Sequence, residues 1–256
     1  VTKKDLLDYV STRQQPSGEP PRTAQAPTVV PQPRETPEEI IPFTQMRKTI
    51  ADRMLLSRRT SAHVTTFFEA DFRGIDIFRT GRTLTYLPFV ISAVTRAMKD
   101  LPLLNASWRE QGLAIKKAVH IGIAVALDEG LLVPVIRHAD QKGLTQLAHE
   151  VAELAERARN KRLTPDDVLD GTFTITNHGG FGSLFSTPII HQPQTAILGV
   201  GSVQKRAVVI DDAIAIRPMC YLSLSFDHRI IDGATADRFM AKVKQHLQQS
   251  DWEKLL

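Results

Sequence analysis

The chain has 256 residues, of which 42% are hydrophobic, 23% charged and 6% aromatic, with a net charge of +4. This is the profile of a folded globular protein and excludes collagen-like, wholly disordered and disulfide-scaffold architectures. The longest helix-like apolar stretch, residues 84–98, is interrupted by Pro88 and Arg96 and falls short of the ~20 residues a bilayer span requires. No membrane crossing is therefore expected. The one cysteine, Cys220, has no internal disulfide partner and fits a reducing compartment. Basic residues occur as short pairs such as Arg58-Arg59 and Lys116-Lys117, which argues weakly for an anionic ligand and against a dedicated nucleic-acid surface.

The chain opens on Val1 with no basic-plus-apolar leader, so it reads as a fragment of a longer protein without a secretory signal. Within residues 1–10, Thr2 and Asp5 have capping-box spacing and Leu6, Leu7 and Val10 follow at helical intervals. One short helix is expected there, too small to hold a core of its own. Eight of the 15 prolines lie in residues 16–42. With few large apolar residues, this stretch predicts an extended linker over 11–41. The globular body is expected from about 42 to 256.

Helical periodicity marks 44–58, 87–99, 144–159 and 234–248. Thr164-Pro165-Asp166-Asp167 supplies a cap, a first-turn proline and two acids, and starts another short helix. Strand patterns occupy 63–72, 104–108, 119–127 with 131–137, 172–176, 195–201, 205–210 and 213–226. Helices and strands mix without the regular alternation of a doubly wound fold. The expectation is an α/β (α+β) protein, a two-layer sandwich around a mixed sheet.

From Gly171 to Gln204 there is no Asp, Glu, Lys or Arg, where average composition would place about eight. Such a stretch either forms a central strand pair with a buried loop, or lines a channel or subunit interface from which charge is excluded. At the end of the last strand, Asp227-His228-Arg229-Ile230-Ile231-Asp232-Gly233 leads straight into a helix. A histidine there projects from a rigid strand end, the usual placement of a catalytic group. His228 also suits a partly buried structural role, and Asp232 suits a plain helix N-cap.

Other chemistries fit poorly. Eight residues along one strand would separate Cys220 from His228 by ~26 Å. Gly-x-Ser-x-Gly is absent, and Gly179-Gly-Phe-Gly182 lacks the Lys-Ser/Thr of a phosphate loop. The eight histidines show no metal-ligand spacing, so no metal is expected. A lone histidine without a protein nucleophile points to general base catalysis on a substrate that brings its own nucleophile.

These residues resemble the catalytic domain of the dihydrolipoyl acyltransferases of 2-oxo acid dehydrogenase complexes, a family similar in turn to chloramphenicol acetyltransferase. The resemblance rests on residues 224–234 (LSFDHRIIDGA), 171–177 (GTFTITN), 181–190 (FGSLFSTPII), 193–199 (PQTAILG), 46–51 (MRKTIA) and 104–108 (LNASW), and covers about 42–250. It implies a chloramphenicol acetyltransferase-like fold and transfer of an acyl group from dihydrolipoamide to coenzyme A. It further implies His228 as the base that activates a thiol, Thr176 as the hydroxyl donor to the oxyanion, and Asp232 as a residue that holds the site together. Taken without the motif, Thr176 also suits a plain strand threonine, alternating with Phe173 and Ile175.

Residues 1–10 resemble the last helix of a peripheral-subunit-binding domain, and the lipoyl group would sit on an upstream domain absent from this chain. The implied partners are further copies, as a trimer built into a cubic or icosahedral core, with the 2-oxo acid decarboxylase and dihydrolipoyl dehydrogenase components. The implied location is the cytoplasm, or the matrix in a mitochondrial protein. Two departures, His178 and His191-Gln192-Pro193, bear on acyl specificity, which stays open among succinyl, acetyl and branched-chain. The alternatives are an antibiotic O-acetyltransferase of the same fold and a catalytically silent assembly scaffold.

Overall fold

A computed structural model describes residues 3–4, 7–9, 38–127 and 130–256. The chain divides between Pro42 and Phe43 into two units. In the first, residues 3–4 and 7–9 are helical and 38–42 carry no regular structure. The expected linker lies outside the described residues over 11–37.

The second unit is built on an eight-stranded mixed sheet. Its strands are β1 (His63–Asp71), β4 (Ile121–Leu127), β5 (Gly130–Leu132), β6 (Val135–Ile136), β7 (Phe173–Asn177), β8 (Ala196–Val200), β9 (Gln204–Ile210) and β10 (Ala213–Asp227). The order is β1-β10-β8-β7-β4-β5, with β6 beside β4 and β9 beside β10. β7 runs parallel to β4 and β8, and the other pairings are antiparallel. A separate hairpin joins β2 (Ala106–Arg109) to β3 (Gly112–Ile115). β10 is long because it serves two partners in turn. Its first half forms a ribbon with β9 across Asp211 and Asp212, both at positive φ as a two-residue primed turn requires. Its second half lies between β1 and β8.

The strict alternation of β7 sends Phe173 and Ile175 to one face and Thr174 and Thr176 to the other. The apolar face meets the helices. α5 (Gly233–Gln249) packs on β1 and β10, α4 (Leu144–Arg159) on β4, and α3 (Leu87–Asp100) between those two helices. α3 is buried almost all round, from Leu87 to Met98. Phe89 at its start meets Trp252 edge to face, ring centroids 4.9 Å apart. Full burial of a side chain of this size stabilises by about 1.5–3 kcal/mol. The two remaining helices are α1 (Gln45–Thr60) and the short α2 (Arg73–Arg79).

The opposite face is small and hydroxylated, and the charge-free stretch seals it. Thr174 donates to Gln194 Oε1 (2.6 Å), and Gln194 Nε2 donates to the Gly171 carbonyl (3.0 Å). Gln192 Nε2 donates to Ser61 Oγ (2.7 Å), and Ser57 Oγ at the end of α1 donates to the Ile190 carbonyl (2.5 Å). Residues 171–204 are thus the central strands β7 and β8 together with the loop that covers them. A charge placed on the buried parts of β7 or β8 would be desolvated without a partner, whereas Phe181, Leu184 and Phe185 of the loop stand exposed.

Two local expectations need correction. Residues 104 and 105 close a 3-10 turn (Pro102–Asn105) rather than starting a strand. The turn after Thr164 is 3-10, although its capping box forms, with Asp167 accepting from the Thr164 N–H at 2.7 Å. In α1 only Ser57 is fully buried, and Leu55 and Leu56 stand exposed.

Candidate active site

β10 ends at Asp227, and the next residues form a tight turn into α5. Asp227 is buried and gripped by Arg229, whose Nε lies 3.0 and 3.1 Å from the two carboxylate oxygens and whose Nη2 lies 2.6 Å from Oδ2. Burial pushes the Asp227 carboxyl up, but hydrogen bonds from Arg229 and Ser61 outweigh it and hold the group below the usual carboxylate range. Asp227 Oδ1 also accepts the Ala62 N–H (3.2 Å), and the His228 N–H donates to the Ala62 carbonyl (2.9 Å). The backbone of His228 is therefore fixed from both sides. Its ring stays exposed in the single chain, beside Phe226 at a centroid distance of 5.8 Å. The Arg229 guanidinium in turn lies over Trp108 at 5.0 Å.

Asp232 is the N-cap of α5 and accepts the Thr235 N–H at 2.7 Å. The Thr235 hydrogen bonds hold its carboxyl below the usual range, with smaller contributions from the charges of Arg238 and His228. Thr176 lies near the end of β7, half-buried, opposite Ala124 of β4 and Gly199 of β8. Gly199 in turn lies opposite Ser223 of β10. A Cβ at Gly199 would meet Ser223 Oγ at 2.4 Å and His178 Cε1 at 3.2 Å. Glycine lets this polar face pack tightly beside Thr176. His178 is further fixed by a 3.3 Å contact between its Nδ1 and Ser186 Oγ.

His228 and Thr176 are not neighbours within one chain. Thr176 is level with Ser223 two strands away, and His228 follows five residues further on, one past the end of β10. Strand spacings of ~4.8 Å and ~3.3 Å per residue put them roughly 19 Å apart. Cys220 is buried on the same unbroken strand, its thiol pushed up to about 12 by burial. It is neither near His228 nor activated. Among the described residues no cluster of His, Cys, Asp and Glu is able to hold a metal ion, and no helix is long and apolar enough to cross a membrane.

The Asp227 to Arg229 grip was not among the expected site residues. The pair is visible in sequence two positions apart. Its purpose depends on Ala62, 165 residues away.

Chloramphenicol acetyltransferase matches over 77% of the chain with a TM-score of 0.53 at 13% identity, so this is its fold. The model of the 2-oxoacid dehydrogenases acyltransferase (catalytic domain) family matches residues 35–256, and the chain belongs to that family. It is 42% identical over 228 residues to the dihydrolipoyllysine-residue succinyltransferase component of the 2-oxoglutarate dehydrogenase complex of Bartonella vinsonii subsp. berkhoffii, covering 85% of this chain and 56% of that protein. The chain thus spans little more than half of that relative's length. Dihydrolipoamide acetyltransferase of Azotobacter vinelandii, studied for the role of a serine, a histidine and an asparagine in its catalytic mechanism, superposes with a TM-score of 0.81 at 40% identity. That match covers 83% of this chain and 92% of the other. The cubic core of the pyruvate dehydrogenase multienzyme complex gives a TM-score of 0.81 at 41% identity, with the same coverage.

Proposed function

We propose that the protein transfers an acyl group from acyl-dihydrolipoamide to coenzyme A and forms the oligomeric core of a 2-oxo acid dehydrogenase complex. The observation that carries this reading is a spacing. In the Azotobacter enzyme the serine precedes the histidine by 52 residues and the asparagine follows it by four. Thr176, His228 and Asp232 stand at the same separations.

In this reading His228 takes the proton from the attacking thiol, which at neutral pH is only slightly ionised. The thiolate adds to the thioester carbonyl, and Thr176 donates its hydroxyl hydrogen to the oxyanion that forms. On collapse, the departing dihydrolipoamide sulfur takes back the proton held by His228. Asp232 caps α5 and lends its negative charge to the imidazolium without exchanging protons.

The ~19 Å between Thr176 and His228 along one sheet exceeds what one reacting centre allows, since both groups must lie about 3 Å from it. This supports a site shared between neighbouring subunits of a trimer. Apolar side chains on the β9–β10 ribbon, Val209 at 73%, Ile214 at 82% and Ile216 at 72% exposure, suit contact with another copy. The proposal extends to residues 1–10 as the last helix of a peripheral-subunit-binding domain, 11–41 as linker and 42–256 as catalytic domain. It also extends to the decarboxylase and dihydrolipoyl dehydrogenase components as partners and to a cytoplasmic location.

Steady-state rates with acetyl-, succinyl- and isobutyryl-dihydrolipoamide test the reading and identify the acyl group. His228→Ala should lower kcat by roughly 10²–10⁴ with little change in the KM for coenzyme A. Near-full activity of that variant would remove His228 as the base.

A further inference from the structure

A cavity of about 750 Å³ opens between α1, the strand exits at Arg109 and Lys116, the start of β7 and residues 191–194. Four cationic side chains line it, Arg53, Arg109, Lys116 and Lys117. None of the four has a carboxylate partner among the described residues. The one acid on the wall, Asp170, is already engaged by Arg137 at 3.3 Å.

Two histidines complete the wall. His120 Nδ1 accepts the His138 N–H at 3.0 Å, which leaves its other nitrogen as a donor in the neutral ring. His191 Nδ1 is buried with no hydrogen-bond partner among the described residues. Burial and, to a smaller extent, the charge of Arg53 hold His191 below the usual imidazole range.

Like charges gathered in one concave site raise the local potential and attract counter-charge. A monovalent ion would leave most of that charge uncompensated. The volume suits a small molecule rather than a single ion. We infer that this cavity binds a multiply charged, phosphate-bearing ligand through Arg53, Arg109, Lys116 and Lys117.

Two sources supply that chemistry. One is the phosphate tail of coenzyme A itself, and only this source rests on the proposed acyl transfer. Thr172 lines the cavity and lies on the same sheet face as Thr176, four residues and thus ~13 Å away. That distance suits an arm reaching from anchored phosphates to a reacting thiol. The other source is a free phosphorylated metabolite acting away from the reacting centre.

Calorimetric titration of the assembled protein with inorganic pyrophosphate tests the site without any need for activity. The wild type should bind, more weakly as salt is raised. Arg53→Gln and the double variant Lys116→Gln/Lys117→Gln should each weaken binding by at least about tenfold, as expected for loss of charge-assisted hydrogen bonds. Lys99→Gln, outside the cavity, should bind as the wild type does. All three variants alter exposed side chains and should keep the wild-type unfolding midpoint.

The source then follows from kinetics. If the ligand is the tail of coenzyme A, the double variant raises the KM for coenzyme A but not for pantetheine. If it is a free metabolite, both values stay unchanged while pyrophosphate binding is lost. Absence of pyrophosphate binding, or equal affinity in the wild type and the neutralised variants, overturns the proposal. A wild type that binds pyrophosphate but transfers no acyl group would instead refute the acyltransferase reading and leave the site standing.

Discussion

His228 owes its position to its neighbours. Its ring is exposed, but its N–H and the Asp227 carboxylate both hold Ala62, and Arg229 clamps Asp227 in place. A histidine held this way is aimed outward from the strand end, which suits the proposed role of base toward a thiol arriving from outside the chain. Thr176 is placed by strand pairing on both sides and needs no such clamp. Thr176→Val keeps its shape and removes the hydroxyl. It should lower kcat by about 10²–10³, whereas Thr176→Ser should be mild. Equal activity of the two variants would reduce Thr176 to a strand threonine. Asp232 has a capping role that is separable from any catalytic one. Asp232→Asn keeps an N-cap acceptor and should leave the urea midpoint nearly unchanged, while Asp232→Ala should cost about 1 kcal/mol. If Asn nevertheless lowers kcat severalfold, the negative charge itself serves the site. If neither variant alters kcat, Asp232 is a cap only.

At the scale of elements, what was legible in the sequence followed burial. α3, α4 and α5 carry helical stripes because each packs an apolar side on the sheet or a neighbour, and β7 and β8 are continuous strands because both faces are covered. α2 gave no signal, since only Ile75 of its seven residues is buried and its N-cap, Phe72, offers no side-chain acceptor. β3 was missed for the same kind of reason, being exposed at Gly112, Leu113 and Ile115 and therefore without alternation. The motif made His228 and Asp232 visible. The clamp at Asp227 was not, because its partner Ala62 is distant in sequence.

The loop that follows β7 shows how tightly the element beside Thr176 is fitted. A Cβ at Gly201 would lie 1.8 Å from the Leu184 carbonyl oxygen, a backbone atom that has little freedom to move, whereas one at Gly180 would meet nothing within 4 Å. Gly201→Ala should therefore destabilise by roughly 1–3 kcal/mol, the range for forced backbone shifts. Gly180→Ala should stay within about 1 kcal/mol. Urea unfolding of the two variants checks the contrast. Similar midpoints would mean that residues 183–186 do not rest against Gly201 in solution.

At the scale of the whole molecule, the sheet register sets the central test. The order β7, β8, β10 keeps Thr176 and His228 on one rigid scaffold roughly 19 Å apart, and no side-chain rotation closes that gap. A closed ring of identical chains offers a solution, because a heterologous interface repeats the same contact at every boundary. Each boundary would then bring Thr176 of one chain to His228 of the next. Equal amounts of His228→Ala and Thr176→Val chains, denatured together and refolded, should pair an intact threonine with an intact histidine at about a quarter of the boundaries. Activity should recover to about that fraction of the wild type, far above either variant alone. Mass measurement of the refolded assembly must first show that mixed trimers are present. If they are and activity stays at the level of the separate variants, the two residues do not meet across a boundary. The acyl-transfer site would then have to be built within one chain around His228 alone.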